Sequence, residues 1–399
     1  MPDVIVVGGG IGGLMAATSL ARAGRSVVVF ERRGEAGGRA RSLTEDGCVR
    51  NLGPHALFDA GPAAATLREL GVRWTGRRST GATVAGWQGG LVPLPAGPLG
   101  LLGLSWMSAG EKLEAAVRFV RLGRATARSE GTVGEWLADA SPPVAALVRT
   151  LLRVATYAHP VDALPLRRAA AQLQLALAGV SYLDGGWQTL VDGLRAAFTR
   201  HGGELRVGAE VLHAEADHVL TADGRVDARQ VILAVHAPAA RRLGVPPTNH
   251  AAARAASLDL CLRDPDPRWP AVALDMQAGR YLSDHGRVAQ LAPPGHTLIH
   301  AAAYLAPDEA ADRAAVEAWA DRATPGWRDR VVSARWTGAV VVQHALPRVD
   351  APRQPVEDER GLLHVGDHVE SPFMLLDAVA DSARRAVAIT LRGAAARAA

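Results

Sequence analysis

The first forty residues alternate between short apolar runs and a glycine-rich turn. Val4 to Val7 is an apolar run of strand length, and a helical pattern follows from Ile11 to Ala23. Gly24 ends that pattern, and Ser26 to Phe30 is a second apolar run. Adjacent parallel strands need a crossover of this kind. The pattern therefore predicts a strand, helix, strand unit at the start of the chain.

The middle of the chain, from residue 61 to residue 183, is alanine-rich and has a helical period interrupted by proline and glycine. We expect this block to form a helical cap. Its candidate helices are Glu111 to Leu122, Val133 to Ala138, Pro143 to Tyr157 and Leu166 to Leu177.

After residue 184 the alternation of strands and helices returns. One helix ends near Arg200, and three short apolar segments should rejoin the first unit: Glu204 to Val207, Glu210 to Ala216 and Val231 to Val235. Residues 250 to 345 hold short alternating segments around one polar helix, from Asp308 to Ala323, which predicts an antiparallel sheet. A last strand, Leu362 to Val365, precedes a long helix that ends near Arg392.

Composition narrows the functional classes. The 399 residues are 48% hydrophobic and 21% charged, which is typical of a globular protein with more than one domain. The formal charge is +4 without lysine-rich runs, so we expect no nucleic-acid partner. Lys112 is the only lysine, which leaves a single candidate for Schiff-base or lysine-base chemistry.

The two cysteines, Cys48 and Cys261, are interpreted as small apolar core residues rather than a disulfide scaffold or a metal site. That interpretation favours a cytoplasmic location. The apolar stretch from Leu91 to Met107 contains three prolines, so it cannot cross a bilayer as one helix. It could line an apolar channel or make a peripheral contact with a membrane surface.

The glycine turn carries the clearest chemistry. Gly8-x-Gly10-x-x-Gly13 lies between a strand and a helix, as a dinucleotide-binding fingerprint requires. Gly10 lets a pyrophosphate approach the backbone, and Gly13 lets the helix pack on the strand. Glu31 ends the second strand, where a carboxylate accepts hydrogen bonds from the ribose hydroxyls and repels the 2′-phosphate of NADP. The unit therefore predicts a nucleotide-binding site.

Four further segments, in chain order, resemble one known superfamily. They are Gly37-Gly38-Arg39-x-Arg41-Ser42, Asn51-Leu-Gly-Pro-His55-Ala, YLDGGWQTLVDGLRAAF with GGELRVGAEV, and GLLHVGDHVESPFMLLDAVADSARRAV. Together they resemble the flavin-containing amine oxidase, protoporphyrinogen oxidase and phytoene desaturase superfamily. The resemblance covers nearly the whole chain.

This resemblance implies an FAD-dependent oxidoreductase of the α/β class. It implies a Rossmann-like FAD-binding domain of the glutathione-reductase type and a discontinuous substrate domain of antiparallel sheet plus helical cap. We assign residues 1–60, 184–248 and 355–399 to the FAD-binding domain. Residues 61–183 form the cap and residues 249–354 the sheet of the substrate domain.

The resemblance also implies which residues bind the cofactor. Asp367 would bind the FAD ribitol, Val211 the adenine end through its backbone, and residues Leu376 to Val379 would point a helix N-terminus at the flavin N1/O2 edge. Such a dipole stabilises anionic reduced flavin and so favours hydride acceptance at N5. The complete predicted set is Gly8, Gly10, Ile11, Gly12, Gly13, Glu31, Arg32, Gly38, Arg39, Gly53, Val211, Gly366, Asp367, Leu376, Ala378 and Val379.

The sequence departs from the amine oxidases in two ways. Those enzymes share a lysine that holds water at flavin N5, whereas Lys112 lies in a polar helix start, SAGEKLEAA, and is interpreted as a surface residue. They also cage the amine between aromatic side chains, and here Met374 stands at one wall with Phe373 beside it. Trp187 could supply one wall. Candidate substrate-lining residues are therefore His55, Trp187, Phe373 and Met374.

His55 is the titratable residue that, by resemblance, approaches the flavin ring. A neutral imidazole there could accept a substrate proton or orient the substrate. The alternative is a histidine that only fixes its own turn through backbone hydrogen bonds. No HxH or HExxH spacing suggests a metal site.

Three kinds of function stay open. The first is dehydrogenation, or desaturation, of a largely apolar small molecule of secondary metabolism by hydride transfer to flavin N5, with O2 or another acceptor reoxidising the flavin; amine oxidation is its variant. The second is a flavin isomerase or cyclase without net redox. The third is an FAD-free lipid-binding protein, as in the Rab GDP dissociation inhibitors of the same fold. The oligomeric state is left open.

Overall fold

The computed structural model describes residues 1–94, 97–124, 130–246 and 249–398. The helices within these ranges are α1 Ile11–Arg22, α2 Pro62–Glu69, α3 Ala109–Gly123, α4 Val133–Trp136, α5 Pro142–Thr156, α6 Leu166–Ala178, α7 Gln188–Arg200, α8 Ala237–Arg242, α9 Arg313–Ala323 and α10 Leu375–Ala398. The strands are β1 Val4–Val7, β2 Val27–Glu31, β3 Ser42–Glu45, β4 Cys48–Asn51, β5 Leu57–Phe58, β6 Gly76–Arg78, β7 Thr83–Trp87, β8 Gly90–Pro93, β9 Val180–Leu183, β10 Glu204–Val207, β11 Val211–Ala214, β12 His218–Thr221, β13 Gly224–Asp227, β14 Gln230–Leu233, β15 Ala253–Arg263, β16 Val272–Asp275, β17 Arg280–Asp284, β18 His296–Leu305, β19 Val331–Gln343 and β20 Leu363–His364.

A five-stranded parallel sheet in the order β10-β2-β1-β14-β20 forms the first layer. Its inner strands β2, β1 and β14 are largely apolar because both of their faces are covered, whereas the edge strand β10 is mostly exposed and carries Glu204 and Arg206. Val4 and Val6 face a core shared with α1, α7 and α10, whereas Ile5 and Val7 face a core under the small sheet β11-β12-β13. The predicted strand, helix, strand unit at the start of the chain is confirmed.

A seven-stranded sheet in the order β19-β15-β18-β17-β16-β7-β8 forms the second large layer. In the middle of β15, from Leu258 to Cys261, successive side chains face opposite sides of the sheet. Leu258 and Leu260 pack against α9 around Trp319, while Asp259 and Cys261 point to the opposite face. The sheet therefore turns an apolar face to α9 and a partly polar face to the rest of the molecule.

The block predicted as helical contains more than helices. Helices α3, α4, α5 and α6 are present at the predicted places, with α5 and α6 packed on each other. The strands β7 and β8, however, lie in the same block and extend the seven-stranded sheet, which the alanine-rich composition concealed. Helix α2 packs on α10 instead of joining the cap. The assigned domain boundaries stay a prediction.

The interpretation of the two cysteines was wrong. Cys48 on β4 and Cys261 on β15 are both fully buried, as expected of core residues, but they form a disulfide bond across 213 residues of sequence. The bond joins the hairpin β3-β4 to the seven-stranded sheet, within a cluster that includes Tyr182 and Leu298. Sequence separation concealed the pairing because only the tertiary fold brings these strands together.

Among the described residues no helix is long and apolar enough to cross a membrane. Within the same ranges, no group of three or more His, Cys, Asp or Glu side chains is arranged to hold a metal ion.

Candidate cofactor and substrate cavity

One cavity of about 960 Å³ runs from the carboxyl ends of the parallel strands to the seven-stranded sheet. Open α/β sheets bind ligands at that end of their strands. The cavity is bounded at one end by the glycine turn after β1 and at the other by residues of β16, β17 and α5, including Val272, Tyr281 and Val154. A ligand in this cavity therefore contacts both large sheets.

The glycine turn is shaped by packing on three sides and is open on the fourth. Gly8 has φ +107°, and a Cβ there would lie 2.5 Å from the carbonyl oxygen of Ala234. A Cβ at Gly13 would lie 2.0 Å from the Gly8 oxygen, so only glycine lets α1 approach β1. At Gly10 a Cβ would meet nothing within 4 Å, because this backbone faces the cavity. The turn thus offers bare backbone at the N-terminus of α1, which fits a pyrophosphate.

Glu31 closes the turn at the end of β2. Its Oε2 accepts a hydrogen bond from the Gly9 N–H at 2.8 Å, and its Oε1 accepts one from the Arg33 N–H at 2.9 Å. The side chain is buried yet lines the cavity next to Arg32. A carboxylate has about four acceptor positions, so acceptor capacity remains for ribose hydroxyls.

Arg39 and Asp367 form an ion pair inside the cavity, with 2.6 Å between Nη2 and Oδ2. Arg39 also donates to the carbonyl of Val342 at 2.8 Å, and His344 donates from Nδ1 to Asp367 Oδ1 at 3.2 Å. Burial would raise the pKa of Asp367, but Arg39 and His344 hold that pKa well below its ordinary value. Asp367 is therefore an ionised, fixed acceptor at the middle of the cavity.

Most predicted cofactor residues meet on this one wall. Two do not line the cavity: Gly13 lies where α1 approaches β1, and Ala378 is fully buried in the first turn of α10. The predicted cofactor residues that line the cavity are Gly8, Gly10, Ile11, Gly12, Glu31, Arg32, Gly38, Arg39, Gly53, Val211, Gly366, Asp367, Leu376 and Val379.

The start of α10 contributes an acid that the sequence reasoning passed over. Asp377 lines the cavity between the predicted Leu376 and Ala378, and its Oδ1 accepts from the Ala63 N–H at 3.0 Å. Burial raises the pKa of Asp377 to about 6, although the Ala63 hydrogen bond opposes the rise. The sequence does place an acid in the first turn of α10, which is a common position for an acidic residue in a helix. The sequence does not show that this acid is buried.

His55 and Trp187 meet near the middle of the cavity. Their ring centroids are 4.4 Å apart in an edge-to-face arrangement, and both residues line the cavity. His55 donates from Nδ1 to the Gly53 carbonyl at 2.7 Å, which leaves Nε2 as the acceptor nitrogen. Burial, with Arg39 nearby, lowers the pKa of His55 to about 4. The imidazole is therefore neutral over the physiological range and is tied to its own turn.

The predicted placement of Phe373 and Met374 needs correction, since neither lines the cavity. Met374 is fully buried in the helical core, and its N–H donates to Gln172 Oε1 at 3.2 Å. The chain turns at this point, so Leu375, with φ +55°, lines the cavity instead. Lys112 also lies outside the cavity wall, and its Nζ donates to the Leu102 carbonyl at 3.0 Å.

The substrate end holds an aromatic wall that sequence reasoning missed. The chain has only four tyrosines, and all four are buried around this end. Tyr157, Tyr182 and Tyr281 line the cavity, and the ring of Tyr304 packs edge-on against Tyr157 at 5.6 Å. Tyr157 follows the last residue of α5, and the other three lie on β9, β17 and β18, so no local pattern relates them.

A polar network backs this wall. The hydroxyls of Tyr182 and Tyr281 are 2.9 Å apart, and Tyr281 is 3.4 Å from Nε2 of His285. The ring of His285 stacks on the ring of His300, which donates from Nδ1 to Asp259 at 2.5 Å. Burial keeps the pKa of His285 well below its ordinary value, so the ring is neutral. The network fixes the orientation of the Tyr182 and Tyr281 side chains.

Comparison with known proteins gives the family. The sequence profile described as "Flavin containing amine oxidoreductase" matches residues 11–313, more than half of the chain. The chain belongs to this family. It is therefore an FAD-dependent oxidoreductase, and the resemblance stated from the four segments is confirmed. The glycine turn, Glu31 and the pair Arg39 and Asp367 fit that cofactor.

Individual relatives differ in what they act on. A mitochondrial protoporphyrinogen oxidase of Nicotiana tabacum is 33% identical over 114 residues, covering 28% of this chain and 23% of the relative. A hydroxyneurosporene desaturase of Cereibacter sphaeroides is 47% identical over 70 residues, covering 18% and 12%. The matches thus span less than a quarter of either relative.

A solved structure of an oxidoreductase from Methanosarcina mazei has a TM-score of 0.77 at 22% identity. The similarity covers 96% of this chain and 99% of that chain. At this identity the similarity is one of fold, and it confirms the predicted mixed α/β architecture.

Proposed function

We propose that this enzyme dehydrogenates a largely apolar small molecule, removing hydrogen from a carbon–hydrogen bond in the cavity beside the cofactor. The observation that carries the proposal is the continuity of the cavity from the cofactor wall to an apolar substrate end. Side chains that make this end apolar include Val154, Ala176, Val180, Val272 and Val340.

FAD, when bound, supplies a two-electron acceptor that takes a hydride at N5. The chain's own residues hold and orient the reactants. Arg39, Asp367 and the start of α10 line the cavity and would hold the cofactor. His55 and Trp187 form a rigid edge between the cofactor region and the substrate end.

A dehydrogenation also releases a proton. With a pKa of about 4, His55 is a weak base, so its neutral Nε2 suits orientation of the substrate better than storage of a proton. Reoxidation by O2 or by another acceptor completes turnover.

The test is anaerobic mixing of the flavin-loaded enzyme with polyenes, alicyclic compounds and porphyrinogens. Loss of the oxidised flavin absorption, together with a product two hydrogens lighter, is the expected result. A substrate that is rearranged with unchanged mass, without net consumption of oxidant, would instead point to an isomerase or cyclase.

Amine oxidation is the second candidate, and the aromatic wall favours it. Tyr182, Tyr281 and Trp187 all line the cavity, so aromatic rings are available to contact an amine. The low aromatic content of the chain had argued against such a site. Aromatic faces bind the alkyl groups and the cationic form of amines. Primary and secondary amines in the same anaerobic assay separate the two candidates, because an amine oxidase releases an aldehyde and ammonia or a smaller amine.

A further inference from the structure

The segment after strand β14 carries a cavity-lining histidine that the sequence reasoning did not single out. His236 immediately precedes helix α8 and lines the cavity together with Ala234 and Val235. These two neighbours lie against the glycine turn, since a Cβ on Gly8 would be 2.5 Å from the Ala234 oxygen and 3.1 Å from a methyl group of Val235. His236 therefore belongs to the wall beside the turn that fits a pyrophosphate.

The order of the parallel strands places His236 and Glu31 on opposite sides of that turn. In the order β10-β2-β1-β14-β20, the glycine turn follows the central strand β1. Glu31 ends β2 on one side, and Glu210, which also lines the cavity, lies beyond β10 on the same side. His236 follows β14 on the other side. The carboxyl end of β1, where open α/β sheets bind their ligands, is thus flanked by carboxylates on one side and by an imidazole on the other.

One hydrogen bond defines which nitrogen of His236 carries the proton. The Ala239 N–H donates to Nδ1 at 3.1 Å, so His236 is the N-cap of α8. A ring nitrogen that accepts a hydrogen bond holds no proton, and the neutral ring therefore carries its proton on Nε2. Burial, together with His344 and nearby arginines, lowers the pKa of His236 to about 4. Nε2–H is consequently a donor throughout the physiological pH range.

The plane of the ring is fixed as well. The rings of His236 and His344 stack, with 5.4 Å between their centroids and 11° between their planes. His344 is held in turn by its hydrogen bond to Asp367. Within the described ranges, no protein group accepts a hydrogen bond from Nε2 of His236. Its neighbours therefore orient the ring and leave its single donor for a ligand in the cavity.

The charges near His236 favour an anionic ligand. Arg32 and Arg242 line the same cavity and act electrostatically on His236, and neither forms an ion pair in the part of the chain that the structure describes. Both carboxylate oxygens of Glu31 already accept backbone hydrogen bonds. The phosphates of FAD are negatively charged and offer only acceptor oxygens, so they need donors in positive surroundings. A fixed N–H group near two cations meets that need.

We propose that His236 is a cofactor-binding residue whose Nε2–H donates to the FAD pyrophosphate, on the side of the glycine turn opposite Glu31. Its two nitrogens then have separate functions: Nδ1 caps α8 and Nε2 binds the cofactor. This role depends on FAD alone and is independent of which substrate the enzyme dehydrogenates.

Two substitutions separate the two nitrogens. His236→Ser keeps an N-cap oxygen for the Ala239 N–H but does not reach the position of Nε2. His236→Gln places an amide N–H near that position but is a poor N-cap. Asp312→Gln is the matched control, because Asp312 caps α9 through the Ala315 N–H at the same distance of 3.1 Å and lies outside the cavity wall.

The experiment is titration of the full-length, flavin-stripped protein with FAD, followed by displacement of FAD with ADP and with adenosine. ADP carries the pyrophosphate without ribitol or flavin, and adenosine carries no phosphate. Denaturant unfolding of the same flavin-stripped proteins reports the effect of each substitution on the fold.

His236→Ser should bind FAD and ADP each about tenfold more weakly, with the adenosine affinity and the unfolding midpoint unchanged. His236→Gln should keep an FAD affinity close to that of the wild type but unfold at a lower denaturant concentration. Asp312→Gln should likewise lower the unfolding midpoint and leave FAD affinity unchanged, because only a cap is lost.

Unchanged FAD affinity in His236→Ser would overturn the proposal, as would weaker FAD binding by His236→Gln than by His236→Ser, because the imidazole would then only cap α8. A loss for FAD with ADP unaffected would place the contact on the flavin half of the cofactor, and an equal loss for adenosine would place it on the nucleoside. Each of these results contradicts a pyrophosphate contact. None of these measurements involves substrate, so the proposed dehydrogenation can fail while this assignment stands.

Discussion

The cofactor end and the substrate end of the cavity are built in different ways. At the cofactor end, backbone conformation and a few charges are decisive: Gly8 and Gly10 shape a turn, and Asp367 is held ionised by Arg39. At the substrate end, Tyr157, Tyr182 and Tyr281 arrive from separate elements and are fixed by packing and by neutral hydrogen bonds. The cofactor end therefore depends on individual charged residues, whereas the substrate end depends on the packing of several side chains together.

The largest effect is expected at Asp367. Replacing it in Asp367→Ala removes an ionised acceptor and leaves Arg39 and His344 without their partner, so FAD affinity should fall about a hundredfold. The ratio of flavin absorption to protein after gel filtration measures the retention. Asp350→Ala is the control, because Asp350 pairs with Arg348 outside the cavity and its loss should leave flavin content unchanged. Equal flavin content in Asp367→Ala would remove this residue from the cofactor site.

Asp377 tests whether burying a carboxyl group at the cofactor end lowers the free energy of unfolding. The folded-state pKa of about 6 lies above the ordinary value of 3.8, so the folded protein holds this proton more tightly than the unfolded chain. Stability from this group is present at low pH and is lost as pH rises from about 4 to about 6, by about 3 kcal/mol in all.

Asp377→Asn should therefore lack this decline, which denaturant unfolding of the cofactor-free protein at several pH values would measure. Asp377→Ala separates charge from hydrogen bonding: it should also be insensitive to pH but less stable than the asparagine variant, since it cannot accept from Ala63. A decline that persists in both variants would assign the titration to another group.

Glu31 should give a smaller loss than Asp367. Glu31→Ala leaves the Gly9 and Arg33 N–H groups without an acceptor and removes the predicted ribose contact, so FAD affinity should fall about tenfold. Flavin titration of the cofactor-free protein measures the effect. Glu204→Ala on the neighbouring strand β10 is the control, because its side chain pairs with Arg206 at the surface. Unchanged affinity in Glu31→Ala would contradict the predicted role.

The smallest effect is expected at His55, where the two ends meet. His55→Ala should retain FAD and slow flavin reduction by substrate about threefold to tenfold, because it removes an orienting contact rather than a strong base. Stopped-flow reduction measures the rate, and the wild-type rate should not depend on His55 titration above about pH 5. His55→Gln decides between the two roles: a glutamine that restores the rate by donating to Gly53 would leave His55 a turn-fixing residue.

Residues at the cofactor end of the cavity were predicted from the sequence more successfully than residues at the substrate end. Gly8, Gly10 and Glu31 could be identified because the strand, turn and helix around them call for those residue types, whereas Arg39 and Asp367 were identified from the resemblance of their segments to a known superfamily. Asp377 lies within such a segment, but its raised pKa comes from burial that only the contact with α2 creates.

Phe373 and Met374 show where local inference fails. Their position ahead of α10 was correctly recognised, yet the left-handed backbone at Leu375 turns Met374 into the helical core. Similarly, composition argued against aromatic walls, whereas the four tyrosines are concentrated around one end of the cavity. A low total says nothing about where the side chains gather.

By itself, the sequence determined the strand, helix, strand unit, the family and the cofactor, because these depend on backbone freedom and spacing within short segments. Only the tertiary structure decided the pairing of Cys48 with Cys261 and the aromatic wall. Each of these depends on side chains that are distant in sequence. Such contacts are set by the packing of whole layers, which no local pattern encodes.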